Sequence, residues 1–189
     1  MNDTMDLDID ELSLQILRGL GAEIAALEQL LSTHRELWGL EDRARSRSAS
    51  DESIASIKRA IDRCNGGRHR LIDAFDQSLR IPTPGPKALK FSETIGELCD
   101  RMLILSLKIA SATESASVPM PGQRQQECRD KAKALSGWRA HLEACLFATL
   151  QAAASGRALL PPRSEFKMYN DPWLNPVIRR ERARDNSGT

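Results

Sequence analysis

The sequence predicts an all-α protein, an antiparallel bundle of about four long helices followed by an ordered C-terminal loop segment. Three observations predict it. Apolar residues recur at three- and four-residue intervals over long stretches, the spacing that lines one face of a helix. Aromatic residues make up only 4% of the 189 residues, and few β-branched or aromatic runs alternate with period two, so strands are not expected. Proline and glycine gather at a few places and divide the chain into long periodic segments with short links, as in a bundle.

The first segment, 8–46, reads as helix. Ile24, Leu27, Leu31, His34, Trp38 and Glu41 follow three-four spacing and share one face. Gly19 and Gly21 weaken its start and mark where it divides in two. Residues 46–50 form a loop. Ser50 caps the next helix, and Asp51 and Glu52 suit its positive end. That helix spans about 51–80, with Ile54, Ile57, Ile61, Cys64, Arg68, Leu71 and Phe75 as its stripe, so Arg68 occupies a core position. Gly66 and Gly67 cost about 1 kcal/mol each relative to alanine inside a helix. They mark either a kink, a close approach by backbone or ligand, or a tolerated irregularity.

Pro82, Pro84, Gly85 and Pro86 make 81–91 a rigid loop. Ser92 is the expected cap of the third helix, 93–115. Its stretch Gly96–Ile109 is apolar almost all the way round, which predicts a central helix surrounded by protein. Yet it carries Glu97, Asp100, Arg101 and Lys108. Charges in such a setting are costly unless paired, so a polar site is expected in its packing. Pro119, Pro121 and Gly122 break the chain before a fourth helix, 123–155, with Leu135, Trp138, Leu142 and Cys145 on one stripe. Gly156 stops it. Asp-Pro and Asn-Pro pairs make 167–176 an ordered loop. The whole chain reads as one helical domain, with frayed tails at 1–7 and 179–189.

Composition excludes several function classes. The net charge is +1, from 27 basic and 26 acidic residues, which argues against a nucleic-acid-binding protein. The Arg179–Arg184 cluster alternates with acids and reads as a solvated tail. No run reaches the roughly 18 apolar residues of a membrane span. The acidic N-terminus is the opposite of a signal peptide. The four cysteines, Cys64, Cys99, Cys128 and Cys145, are scattered and read as small apolar residues in a reducing cytoplasm. No metal set, nucleophile motif or nucleotide-binding fingerprint is present, and no cofactor follows.

Polar residues do recur at core-facing spacings. Arg101 and Lys108 lie two turns apart on one side of the third helix, with Asp100 beside them. Lys58, Asp62, Asn65 and His69 form a polar row beside Arg68. His34 lies in line with Glu41, with Asp42 adjacent; a lone histidine in a stripe is most often a hydrogen-bonded core residue.

The segments LWGLEDRAR (37–45), IKRAIDRCN (57–65), DRMLILSLKI (100–109) and MYNDPWLNP (168–176), in this order, resemble the bacterial domain-of-unknown-function family 4254 over about residues 34–178. The resemblance implies a helical cytoplasmic protein from glycan or specialised-metabolite gene neighbourhoods, and assigns no activity. Family members carry histidine where this chain has Gly39, and a more polar segment where it has Gly66 and Gly67.

The expectation is a small-molecule-binding protein; whether it is an enzyme stays open. Arg68, Arg101 and Lys108 form a cationic centre for an anionic metabolite such as a sugar phosphate or nucleotide sugar. Glu41, Asp42, Asp62 and Asp100 act as acid or base, or orient those cations. Trp38, Lys58 and Asn65 complete the binding set, with Tyr169, Asn170, Asp171 and Asn175 on a closing loop. No nucleic-acid or membrane partner is expected, and the helices leave room for a homo-oligomer. The alternative is a non-catalytic interaction or scaffold protein whose core charges are structural ion pairs.

Overall fold

The structure, a computed structural model, describes residues 7, 9–162 and 172–185. They are mostly helical: α1 (Glu11–Gly19), α2 (Ile24–Ala44), α3 (Asp51–Ser78), α4 (Ile95–Ser117), α5 (Gly122–Ala154) and α6 (Pro176–Asp185), with two short strands, β1 (Leu89–Lys90) and β2 (Ala158–Leu159). The first segment divides where its glycines lie. Gly21 takes φ +81°, a left-handed turn that suits glycine. Arg80 N donates to Leu20 O at 2.7 Å, tying this turn to the far end of α3.

Ser50 caps α3 as expected, accepting from Ser53 N at 3.3 Å. The helix runs unbroken through Gly66 and Gly67. The atoms nearest the missing side chains belong to the Arg70 guanidinium, so the glycine pair is a tolerated irregularity rather than a close approach. The third helix starts later than expected. Thr94, not Ser92, is its cap: Thr94 Oγ1 accepts from Glu97 N at 3.1 Å, and Glu97 Oε2 accepts from Thr94 N at 2.8 Å. This reciprocal box satisfies two backbone donors. It also accounts for Glu97, one of the charges that seemed out of place.

Helix α4 contacts α2, α3 and α5, which makes it the central helix. Ile95, Leu98, Cys99, Met102, Leu103 and Leu105 are its buried apolar residues. Gly96 is required here. Its N–H donates to Asp76 Oδ1 at 2.7 Å, and a Cβ would lie 2.9 Å from both carboxylate oxygens. On α5 the buried face is Leu142, Leu146, Leu150 and Ala153. Trp138 was expected on that stripe but is 57% exposed. The apolar face of this helix lies in its C-terminal half, and the half holding Trp138 is largely solvated.

The strands were not expected. Gly156, at φ +67°, turns the chain out of α5. Leu89 N then donates to Arg157 O and Phe91 N to Leu159 O, forming a parallel pair. Two residues per strand are too few to leave a period-two pattern. The C-terminal segment also differs from expectation. Asn175 Oδ1 accepts from Val177 N at 2.9 Å and Ile178 N at 3.3 Å, and Pro176 occupies the first helical position. The Asn-Pro pair therefore starts α6 instead of making a loop, and the helix extends over much of the expected frayed tail.

The buried apolar residues form two clusters. The main one joins α1, α2, α3, α4 and α5. A smaller one, Leu37, Leu40 and Ile61, sits between α2 and α3, with Ile57, Ala60 and Cys64 against it. Along α2 the order is Leu31, His34, Leu37; along α3 it is Ile61, Arg68, Ile72. A polar layer thus separates the two clusters. The cysteines of the described residues are free thiols, with Cys99 buried. No helix among the described residues is long and apolar enough to cross a membrane.

Candidate functional site

The polar layer is built by three helices. His34 on α2 is 1% exposed, and its Nε2 lies 2.9 Å from Asp100 Oδ1 on α4. A carboxylate only accepts, so Nε2 carries the hydrogen of this bond. Arg68 Nε, on α3, lies 3.4 Å from the same oxygen, an ion-pair distance longer than a good hydrogen bond. Two polar atoms here are buried without a hydrogen-bond partner among the described residues: His34 Nδ1 and Arg68 Nε. Buried polar atoms of this kind are uncommon, because an unsatisfied group costs about 1–3 kcal/mol.

A cavity of about 330 Å³ opens at this layer. Residues His34, Leu37, Trp38, Glu41, Asp42 and Arg45 line it from α2, Asn65 and Arg68 from α3, and Ile104 from α4. Helical periodicity explains the set. Positions 34, 38, 41 and 45 share one face, 65 and 68 are a turn apart, and 104 follows 100 by one turn. Asp100 itself is buried behind His34. The walls carry both signs of charge. Arg45 Nη1 donates to Glu41 Oε2 at 2.6 Å, which leaves Asp42 and Arg68 as the other charged side chains lining the cavity. Such a lining suits a ligand with hydroxyls for the carboxylates and an anionic group for a guanidinium.

The structure thus brings together Trp38, Glu41, Asp42, Asn65 and Arg68, with Asp100 behind them. It does not bring in the rest. Arg101 and Lys108 share a face of α4, but it is not the face of Asp100. One residue turns a helix by about 100°, so Arg101 instead donates to Glu93 at 2.6 Å, and Lys108 is exposed. The expected cationic centre of Arg68, Arg101 and Lys108 is therefore not assembled. Lys58 and Asp62 pair with each other at 2.9 Å on the exposed side of α3. Lys58 lies about 10 Å along the axis from Asn65 by helical rise. Asn175 caps α6, and Tyr169, Asn170 and Asp171 lie outside the described residues.

His34 was expected as a core histidine, and its place in the site was missed, as were those of Leu37, Arg45 and Ile104. Arg45 was within reach of sequence reasoning, because it continues the 34-38-41 spacing by one further turn. A second, more open groove of about 460 Å³ lies across the α2–α3 seam, lined by Glu36, Arg63, Cys64, Gly67 and Arg70 among others. Burial, and then the neighbouring Glu36, pushes the Cys64 thiol above its ordinary value. A thiol held protonated is a poor nucleophile. No group of three or more His, Cys, Asp and Glu residues placed to hold a metal occurs among the described residues.

A family model described as a protein of unknown function (DUF4254) matches residues 24–161. No curated protein and no solved structure matches the chain.

Proposed function

We propose that this chain, which belongs to the DUF4254 family, binds a small hydroxylated, anionic metabolite in the cavity between α2, α3 and α4. The observation that carries the reading is the cavity itself, with the partly exposed Arg68 side chain, Asp42, Asn65 and Trp38 in its lining. A ligand that offers an anionic oxygen to the Arg68 guanidinium and a hydroxyl to the Asp42 carboxylate suits this lining. The volume lies in the range of small-molecule sites. Trp38 adds an apolar surface for a sugar or base ring, and Asn65 and Asp42 add hydrogen-bonding groups. A sugar phosphate or nucleotide sugar fits this description. We take α2–α3 and α4–α5 as two hairpins of an antiparallel four-helix bundle, with the site in its packing, and the protein as cytoplasmic.

The scaffold reading draws on one contact, the Asp100 carboxylate paired inside the protein with His34 and Arg68. One experiment separates the two. Thermal unfolding is followed with sugar phosphates and nucleotide sugars for the wild type, Arg68→Ala and Arg101→Ala. A ligand at a hundred times its Kd stabilises by about 2.7 kcal/mol, or roughly 5–10 °C for a chain of this size. The expected result is a shift in the wild type and in Arg101→Ala, and none in Arg68→Ala. A wild type that responds to none of these compounds removes the ligand reading in favour of the scaffold.

A further inference from the structure

We propose a second binding site, for a small diphosphate anion, in the groove across the α2–α3 seam, with Arg63 and Arg70 as its cations. The site shares no lining residue with the cavity above and does not depend on the ligand reading given there. Residues 58–70 of α3 hold five basic side chains (Lys and Arg) and one acid, in a chain whose net charge is +1. Two of the five have partners: Lys58 pairs with Asp62, and Arg68 lies against Asp100. Arg59, Arg63 and Arg70 are exposed and have neither an ion pair nor a hydrogen bond among the described residues. Positions 59, 63, 66 and 70 follow four-three-four spacing and form one ridge of the helix. Like charges so placed destabilise a helix, so the row calls for an anion that the described residues do not supply.

The groove gives that anion a place. Its volume is about 460 Å³; Arg63, Gly67 and Arg70 line it from α3, and Thr33 and Glu36 from α2. Gly66 holds the ridge position between the two arginines and Gly67 lies in the lining, so neither places a side chain between the guanidiniums. The Arg70 guanidinium lies over both: its Nη1 is 3.7 Å from where a Cβ on Gly66 would stand, and its Nη2 is 4.0 Å from one on Gly67. The glycine pair weakens the helix and in return keeps the floor bare beside two cations. Glu36 is the one carboxylate in the lining. Cys64 adds no second negative charge, because burial, and then Glu36, push its thiol up and keep it protonated. The lining is therefore net positive. A guanidinium takes a phosphoryl group through two parallel hydrogen bonds, and two guanidiniums match the two phosphoryl groups of a diphosphate.

Calorimetric titration of the full chain with pyrophosphate at physiological ionic strength tests the site. The expected result is saturable binding in the wild type, weakened about tenfold or more in Arg63→Gln and in Arg70→Gln, the worth of a charge-assisted hydrogen bond. Arg59→Gln removes the same charge from the same ridge outside the lining and should bind as the wild type does. Gly67→Leu keeps every charge, improves helix propensity and fills the floor, so it should lose binding while its circular dichroism is unchanged. Inorganic phosphate should bind more weakly than pyrophosphate. No saturable binding of pyrophosphate overturns the proposal, and so does binding that ignores both Arg63 and Arg70. A loss in Arg59→Gln equal to theirs reduces the effect to the general field of α3, and binding that survives Gly67→Leu takes it out of the groove; either result also overturns the site. Equal affinity for phosphate and pyrophosphate overturns the diphosphate assignment.

Discussion

Cys99 sets a pH limit on this fold through one buried atom. Burial, followed by the negative charges of Asp76 and Asp100, pushes its thiol far above the ordinary value of 9.0. The folded chain keeps this proton at a pH where the unfolded chain has lost it. Above pH 9.0 the unfolded state therefore binds fewer protons, and stability falls as pH rises, by about 1.4 kcal/mol per pH unit from this group. Urea unfolding across that range should show a steeper loss for the wild type than for Cys99→Ala, whose cavity lowers stability at every pH but removes the thiol's contribution. Equal slopes would assign the alkaline loss to other groups. At the same scale, the site was half legible. Arg68 at a core position and Asp100 on an apolar helix both announced themselves as charges needing partners. Arg101 carried the same signal and proved to be a surface pair with Glu93, because adjacent helical residues look alike in composition and differ by a quarter-turn in what they face.

Helix ends show where local chemistry was readable and where it was ambiguous. Ser50 stands directly before Asp51 and Glu52 and is the cap. Before α4, Ser92 was the expected cap and Thr94 takes its place, because Glu97, three residues after Thr94, reaches back to its N–H. Thr94→Ala should lower stability by about 1 kcal/mol, the usual worth of a cap. For a chain of this size that is a fall in Tm of roughly 2–4 °C, while Ser92→Ala should change little. A matching loss in both variants would mean that the box contributes nothing specific. The two-residue strands and α6 were not legible for different reasons. The strands are fixed by hydrogen bonds between positions 69 residues apart. The start of α6 shares its Asn-Pro signature with ordinary turns.

For the whole molecule, periodicity and proline-glycine punctuation located the long helices within a few residues, and the central role of α4 followed from its apolar circumference. Neither could show which faces meet, so the joining of the Trp38 and Arg68 regions was legible while the exclusion of Lys108 was not. Hydrogen exchange extends this point. The outer ends of α2 and α3 pack through the small apolar cluster of Leu37, Leu40 and Ile61, with Ala44, Ile57, Ala60 and Cys64 against it, and the polar layer separates it from the main core. Their packing is thin enough to open as a unit of its own while the rest stays folded. Amides of residues 37–44 and 57–64 should exchange at a lower free energy than those around Leu146 and Leu150, which lie in the main core. Uniform protection would mean a single cooperative block. With the lower free energy at 37–44 and 57–64, the layer that interrupts the seam would be the line about which this hairpin tip opens. On the proposed reading, a ligand bridging α2 and α3 should slow exchange at that tip, and unchanged exchange with the ligand bound would place it elsewhere.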